Sequence, residues 1–130
     1  MGYKILVADD DPDISDLISS LLAEDHHEVV IAFDGVEAIE VAKRESPDLV
    51  IVDLNMPRSD GYEVIRALRQ FDATRETPII LLTANNDEGT AAKGFAGGAD
   101  DFLVKPFTPS HLRARVSTWL LRHHDQEQNP

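Results

Sequence analysis

A chain of 130 residues, 42% apolar and 28% charged, has the size and composition of one soluble globular domain and no room for a second with its own core. It contains no cysteine, which excludes disulfides and thiolate metal sites and fits a reducing compartment, so a cytoplasmic location is expected. Its formal net charge of −12, with no Lys/Arg cluster long enough to follow a phosphate backbone, argues against direct nucleic-acid binding and points to protein partners and a cationic small ligand.

The elements follow in chain order. Lys4-Ile5-Leu6-Val7-Ala8 is a continuous apolar run ending in Asp9-Asp10-Asp11, the pattern of a strand buried on both faces. Asp11 caps a helix with Pro12 at its first position and Ile14, Leu17, Ile18, Leu21 and Leu22 at helical spacing. Val29-Val30-Ile31-Ala32 is the second strand, and Asp34-Gly35 opens a helix that Ser46-Pro47 stops. Leu49-Val50-Ile51-Val52 is the third strand, ending at Asp53. A polar turn from Asn55 to Gly61 leads into a helix carrying Val64, Ile65, Leu68 and Phe71. Pro78 introduces the fourth strand, Ile79-Ile80-Leu81-Leu82, which ends at Thr83 and is followed by a weaker helix with Ala91, Ala92 and Phe95. Gly97-Gly98 closes that helix, Phe102-Leu103-Val104 is a short fifth strand ending at Lys105, and Thr108-Pro109 starts a last helix with Leu112, Val116, Trp119 and Leu120.

Five β-α units predict an α/β domain over residues 1–122, a doubly wound parallel sheet with helices on both faces. The polar segment from His123 to Pro130 reads as a tail or the start of a linker. No apolar run approaches the roughly 20 residues of a membrane span, and the amino end lacks a secretory signal, so no membrane association is expected.

In a doubly wound sheet the crevice lies beyond the carboxyl ends of the strands. The residues there are Asp9 and Asp10, Asp53, Thr83 and Lys105. Carboxylates gathered in a partly dehydrated pocket repel one another, and a hard divalent cation relieves that repulsion. Mg2+ suits best, because a few protein oxygens plus water and phosphate oxygens satisfy it. A carboxylate can also be the nucleophile in phosphoryl transfer. The Thr83 hydroxyl and Lys105 ammonium are then the donors available to meet charge on the transferred group.

The segments I-L-V-A-D-D-D, D-L-V-I-V-D-L-N-M-P-R-S-D-G, I-I-L-L-T-A and G-A-D-D-F-L-V-K-P-F, in this order and at these strand ends, resemble the CheY-like receiver domains of two-component response regulators. The resemblance runs from Lys4 to about Leu121. It implies a (βα)5 flavodoxin-like sheet of five parallel strands in the order 2-1-3-4-5. It also implies that Asp9, Asp10 and Asp53 hold Mg2+ together with the backbone carbonyl of Asn55, and that Asp53 is the phosphoacceptor. Thr83 and Lys105 would meet the phosphoryl group, Thr83 and Phe102 would move together as a switch, and the Lys105-Pro106 bond would be cis, aiming the lysine into the pocket. Asn55 and Asn85 would line the approach for water. Phe102 stands where Tyr is commoner, so its switching would act through packing, and Gly97 replaces the usual Ala.

The partners implied are a sensor histidine kinase or histidine phosphotransfer protein as donor and a downstream effector domain or protein. A homodimer through the face of the fourth helix, fifth strand and fifth helix is a further expectation, with Asp100, Asp101, Arg113, Arg115 and Trp119 on or near it. The chain would catalyse only its own phosphorylation and dephosphorylation, turning over no external substrate.

Other readings compete. A haloacid-dehalogenase-type phosphatase would need D-x-D-x-T at the first strand, and Asp13 occupies the Thr place. A phosphate-independent interaction domain would usually have lost the acceptor or the lysine, and both are present. An EF-hand loop counted from Asp9 puts Ile14 at its Gly and Ser20 at its Glu. Asp11 is best explained as a helix cap, Phe102 and Trp119 as core or interface aromatics, and His26, His27, His111, His123 and His124 as surface residues without ligand spacing.

Overall fold

The computed structural model describes residues 2–84 and 88–128, with backbone alone for 124–128. The elements run β1 (Lys4–Ala8), α1 (Pro12–Glu24), β2 (Glu28–Ala32), α2 (Gly35–Glu45), β3 (Leu49–Asp53), α3 (Gly61–Leu68), β4 (Ile79–Thr83), α4 (Glu88–Gly97), β5 (Asp101–Val104) and α5 (Pro109–Gln128). The strands form one parallel sheet in the order β2-β1-β3-β4-β5. The order reverses between β1 and β3, and such a reversal opens a crevice above the strand ends.

Successive strand residues face opposite sides, so each apolar run feeds two cores. Leu6, Ala8, Val50, Val52, Ile79 and Leu81 pack on α2 and α3 through Ala38, Val41, Val64, Ile65 and Leu68. Their neighbours Ile5, Val7, Leu49, Ile51, Ile80 and Leu82 pack on α1 and α5 through Ile18, Leu22, Leu112, Val116 and Leu120. This explains why β1, β3 and β4 read as unbroken apolar runs rather than alternating ones.

The helix starts are set by side chains. Asp11, Asp34 and Asp60 each accept from a backbone N–H in the first turn of α1, α2 and α3, and Asp60 forms a full capping box with Glu63. Thr108 Oγ1 accepts from His111 N at the start of α5.

Two expectations, the reach of α3 and the setting of His27, need correction. α3 stops at Leu68, so Phe71 lies in the turns beyond it, where its ring lies under the Lys43 ammonium. Helical spacing alone could not see that Arg69 N–H closes the helix onto Ile65 O. The last helix runs on through Gln128, so the segment expected as a tail or linker start is helical that far, neither Gly nor Pro interrupting it before Pro130. His27 is half-buried rather than a free surface residue, because its Nδ1 accepts from Tyr3 N at 3.1 Å. His124, Asn129 and Pro130 fall outside the described side chains or residues.

Candidate metal and phosphoryl site

The carboxyl ends of β1, β3, β4 and β5 converge as the sequence pattern requires. Asp9 follows β1 and is fully buried. Its backbone N–H donates to Ala32 O at 3.1 Å, extending the sheet by one bond, while its Oδ1 accepts from Asp11 N at 2.9 Å. Ser15 Oγ donates to the Asp9 carbonyl at 3.2 Å. The carboxylate is therefore held by its own loop and by α1. Asp10 is exposed beside it.

Asp53 is the last residue of β3 and 6% exposed. Close approach of α3 encloses it: a Cβ on Gly61 would lie 2.7 Å from Asp53 O and 2.8 Å from Leu54 Cα, so glycine is required at the first position of that helix. Lys105, immediately after β5, is placed by its N–H bond to Thr83 O at 2.8 Å, and the Lys105-Pro106 bond is cis. Its Nζ lies 2.9 Å from Asp9 Oδ2 and 3.0 Å from Asp53 Oδ1. Thr83 is buried at the end of β4, in register with Val104 and one residue beyond the partner of Asp53. Asn55 is exposed two residues beyond Asp53, and Phe102 is half-buried with its ring edge-on to Phe95 at 5.8 Å between centroids. Asn85 lies outside the described residues.

Carboxylate oxygens of Asp9, Asp10 and Asp53 lie within 4.8 Å of one another. Among the described residues the ammonium of Lys105 stands against these acids, paired with Asp9 and Asp53. Burial pushes the Asp53 carboxyl up to about 6; the hydrogen bond from Lys105 works against that shift, and the charges of Asp9 and Asp10 add to it. For Lys105 burial pulls downward, yet its bonds to Asp9 and Asp53 prevail and hold the ammonium above its ordinary value. The pocket therefore carries a surplus of negative charge that a lysine only partly offsets. Such a donor set, all oxygen and acidic, fits a hard divalent cation.

The acidic residues expected to face the surface of α4, β5 and α5 are engaged within the chain. Asp100 accepts from Arg69 and from Ile79 N. Asp101 accepts from Arg115, from the Trp119 indole N–H and from Phe102 N. Arg113 pairs with Glu24 and Asp25 of the α1 end. The residue that sequence reading missed is Arg69, whose guanidinium donates to the carbonyls of Thr74, Arg75, Thr77 and Gly98 and to Asp100. Nothing in its neighbourhood along the chain signals this, because its partners are the Asp100 carboxylate, distant in sequence, and backbone carbonyls.

Among the described residues no helix is long and apolar enough to cross a membrane. The family described as response regulator receiver domain matches residues 5–117. A curated relative, a "probable transcriptional regulator ycf27" of Porphyridium aerugineum, is 44% identical over 119 residues, which are 92% of this chain and 48% of that protein. The chain thus spans about half the length of that relative. Among solved structures, the chemotaxis response regulator CheY4 of Vibrio cholerae has a TM-score of 0.88 at 34% identity, covering 92% of this chain and 99% of that one. The receiver domain of the sensor histidine kinase PA1611 of Pseudomonas aeruginosa PAO1, solved with a magnesium ion coordinated in its active-site cleft, has a TM-score of 0.85 at 32% identity, covering 92% and 98%.

Proposed function

This chain belongs to the response regulator receiver domain family, and on that premise we propose that Asp53 accepts a phosphoryl group from a phosphohistidine donor and that the gain of charge reshapes the partner-binding surface. The observation that carries the reading is the convergence of Asp9, Asp10, Asp53 and Lys105 in one buried-to-exposed cleft, acidic in surplus and opened at the strand-order reversal.

The acids fit Mg2+, with Asp9, Asp10, Asp53 and the Asn55 carbonyl as its protein ligands. When bound, the cation neutralises charge on the phosphoryl oxygens and on the acids around them. The chain's own residues do the rest. An Asp53 Oδ attacks phosphorus, the P–O bond forms as the donor's P–N bond breaks, and the departing imidazole keeps the electron pair and takes up a proton. Lys105 already touches Asp53, so its ammonium is on hand to follow the new phosphoryl oxygens. Thr83, at the end of the neighbouring strand, supplies a hydroxyl from the β4 side. Phe102 then repacks against Phe95 and the surface of α4, β5 and α5 changes.

The donor is a sensor histidine kinase or a histidine phosphotransfer protein, and the recipient of the signal is an effector domain or protein. The absence of cysteine supports a cytoplasmic setting. Dimerisation through α4, β5 and α5 would require Asp101 and Arg115 to exchange their present pairing for one with a second copy.

The test is amide NMR with Mg2+ and beryllofluoride, a phosphoryl mimic, on wild type and Asp53→Asn. Shifts at Asp53, Thr83, Lys105 and Phe102 in wild type alone support the assignment. A silent wild type, or an equal response from Asp53→Asn, overturns it.

A further inference from the structure

The loop between β3 and α3 carries the Asn55 carbonyl that the reading above assigns to Mg2+. Its two ends are fastened close to the strand: Leu54 N donates to Leu82 O at 2.8 Å, and Gly61 N donates to Leu54 O at 2.8 Å. The middle of the loop, Asn55 to Ser59, has a different anchor, the junction of β2 and α2. Gly35 N donates to Pro57 O at 3.3 Å, and a Cβ on Gly35 would lie 2.1 Å from Ser59 O, so the two backbones touch. Beside that contact, Arg58 Nη1 lies 3.4 Å from Asp34 Oδ2.

Two features set this pair apart from an ordinary surface salt bridge. Arg58 sits at φ 71, in the left-handed region that residues with a Cβ disfavour, so the loop holds a conformation that needs an external restraint. Asp34, in turn, is a rigid anchor. Its Oδ1 accepts from Glu37 N at 2.8 Å, and Glu37 Oε1 accepts from Phe33 N at 2.9 Å, so both sides of the α2 start are fixed and Oδ2 is the oxygen turned to Arg58.

We propose that the Asp34–Arg58 pair is a positioning strap for the metal site, holding the β3–α3 loop so that its carbonyl faces the acidic cluster, and thereby setting Mg2+ affinity although neither residue is a ligand. The inference rests on the assignment of Asp53 and Asn55 made above. Arg58 is largely exposed, so the pair is a modest contributor, and its loss shows as a small change in affinity rather than as unfolding.

The test is calorimetric titration of Mg2+ into wild type, Asp34→Asn, Arg58→Gln, Arg58→Gly and the Asp34→Asn/Arg58→Gln double variant, with urea unfolding of each metal-free protein alongside. Asn caps a helix as well as Asp does, so Asp34→Asn weakens the strap and spares α2. Gly at 58 removes the backbone strain together with the strap, which separates the two effects. The expected result is an increase in Kd of about two- to five-fold for each single variant, Arg58→Gly included although it is no less stable than Arg58→Gln. The double variant should be no weaker than either single one. Unchanged affinity in Arg58→Gln and Arg58→Gly, or fully additive losses in the double variant, would overturn the strap while leaving the metal site standing. A wild type that takes up no Mg2+, or an Asp53→Asn variant that binds it undiminished, would overturn the site assignment itself and the strap with it.

Discussion

The two ends of the sheet hold buried charge in opposite ways. At the carboxyl end three carboxylates gather beside one ammonium that pairs with two of them, Asp9 and Asp53, and Asp53 is driven up to about 6 by its burial. At the amino end one guanidinium meets one carboxylate and four carbonyls: Arg69 donates to Thr74 O, Arg75 O, Thr77 O, Gly98 O and Asp100 Oδ2 at 2.6 to 3.2 Å. Gly98 is tailored to it, at φ +117 and with room for Arg69 Cγ only because it lacks a Cβ. One end is satisfied and ties the end of α3, the 72–77 turns and the entry to β5 into one piece. The other is left in deficit, which is the condition for taking up a cation and changing state. A polar network that is complete serves architecture, and one that is incomplete serves chemistry.

The largest expected effect tests the satisfied end. Arg69→Met should lower unfolding stability by about 3 kcal/mol, because it removes the cation paired with Asp100, which keeps only the Ile79 N–H, and takes a donor from the carbonyls of Arg75, Thr77 and Gly98. Urea unfolding checks the size, and Mg2+ titration under folding conditions should give wild-type affinity. A loss under about 1 kcal/mol would mean that water replaces the guanidinium, and the contrast between the ends would be lost.

The next test goes to the end in deficit and has the opposite sign. Removing an ionised acid from a crowded pocket should stabilise the metal-free fold, so Asp53→Asn should be more stable than wild type by on the order of 2 kcal/mol at pH 8. The pH dependence follows from the raised pKa. Between the ordinary carboxyl value of 3.8 and about 6 the folded state holds more protons on Asp53 than the unfolded state does, so this group makes stability fall as pH rises through that window. The advantage of Asp53→Asn should therefore be near zero below that window, grow across it and level off above it. Urea midpoints at several pH values measure it, and saturating Mg2+ should reverse it. An advantage that stays flat with pH would show that Asp53 ionises without strain.

A smaller effect lies between the ends. Trp119→Phe keeps the packing of the ring but deletes the indole donor to Asp101 Oδ2 at 2.9 Å, leaving Arg115 and Phe102 N to satisfy that acid. A loss of about 1 kcal/mol in thermal or urea unfolding is expected. No measurable loss would mean that Arg115 and the Phe102 N–H suffice to hold Asp101 in place.

Legibility in the sequence followed the same division. Asp9, Asp53, Thr83 and Lys105 could be picked out because each is a polar residue closing an apolar run, and a parallel sheet brings such positions together whatever the loops do. Most helix starts were equally open to reading, since Asp11, Asp34 and Thr108 act on residues two or three places away, whereas the strand order came only with the family resemblance. Arg69 was opaque because every partner it has is five or more residues distant, and most are carbonyls that any residue would provide. Phe71 was misassigned for a related reason. It continues the α3 apolar spacing, and only the fold shows that α3 has already ended at Leu68. Arg58 looked like one more polar turn residue until its backbone was seen at φ 71 beside Asp34.

His27 gives the amino end a titration that runs against that of Asp53. Burial lowers its pKa below the ordinary imidazole value of 6.5, with Asp25 opposing the shift and His26 adding to it. The neutral ring is the form the fold needs, since Nδ1 accepts from Tyr3 N at the start of β1. Protonation turns that acceptor into a donor facing another donor. The unfolded chain therefore binds the extra proton first, and the stability contributed by neutral His27 is present above about 6.5 and is lost as pH falls through the lowered folded value. The expected amount is under 1 kcal/mol, because one part-buried hydrogen bond is involved. Comparing wild type with His27→Gln across pH 5 to 8 isolates it: the variant should lack the decline on the acid side. At the carboxyl end acid relieves strain, and at the amino end acid creates it, so the opposite pH slopes of Asp53→Asn and His27→Gln relative to wild type would locate the two kinds of buried charge without reference to any ligand.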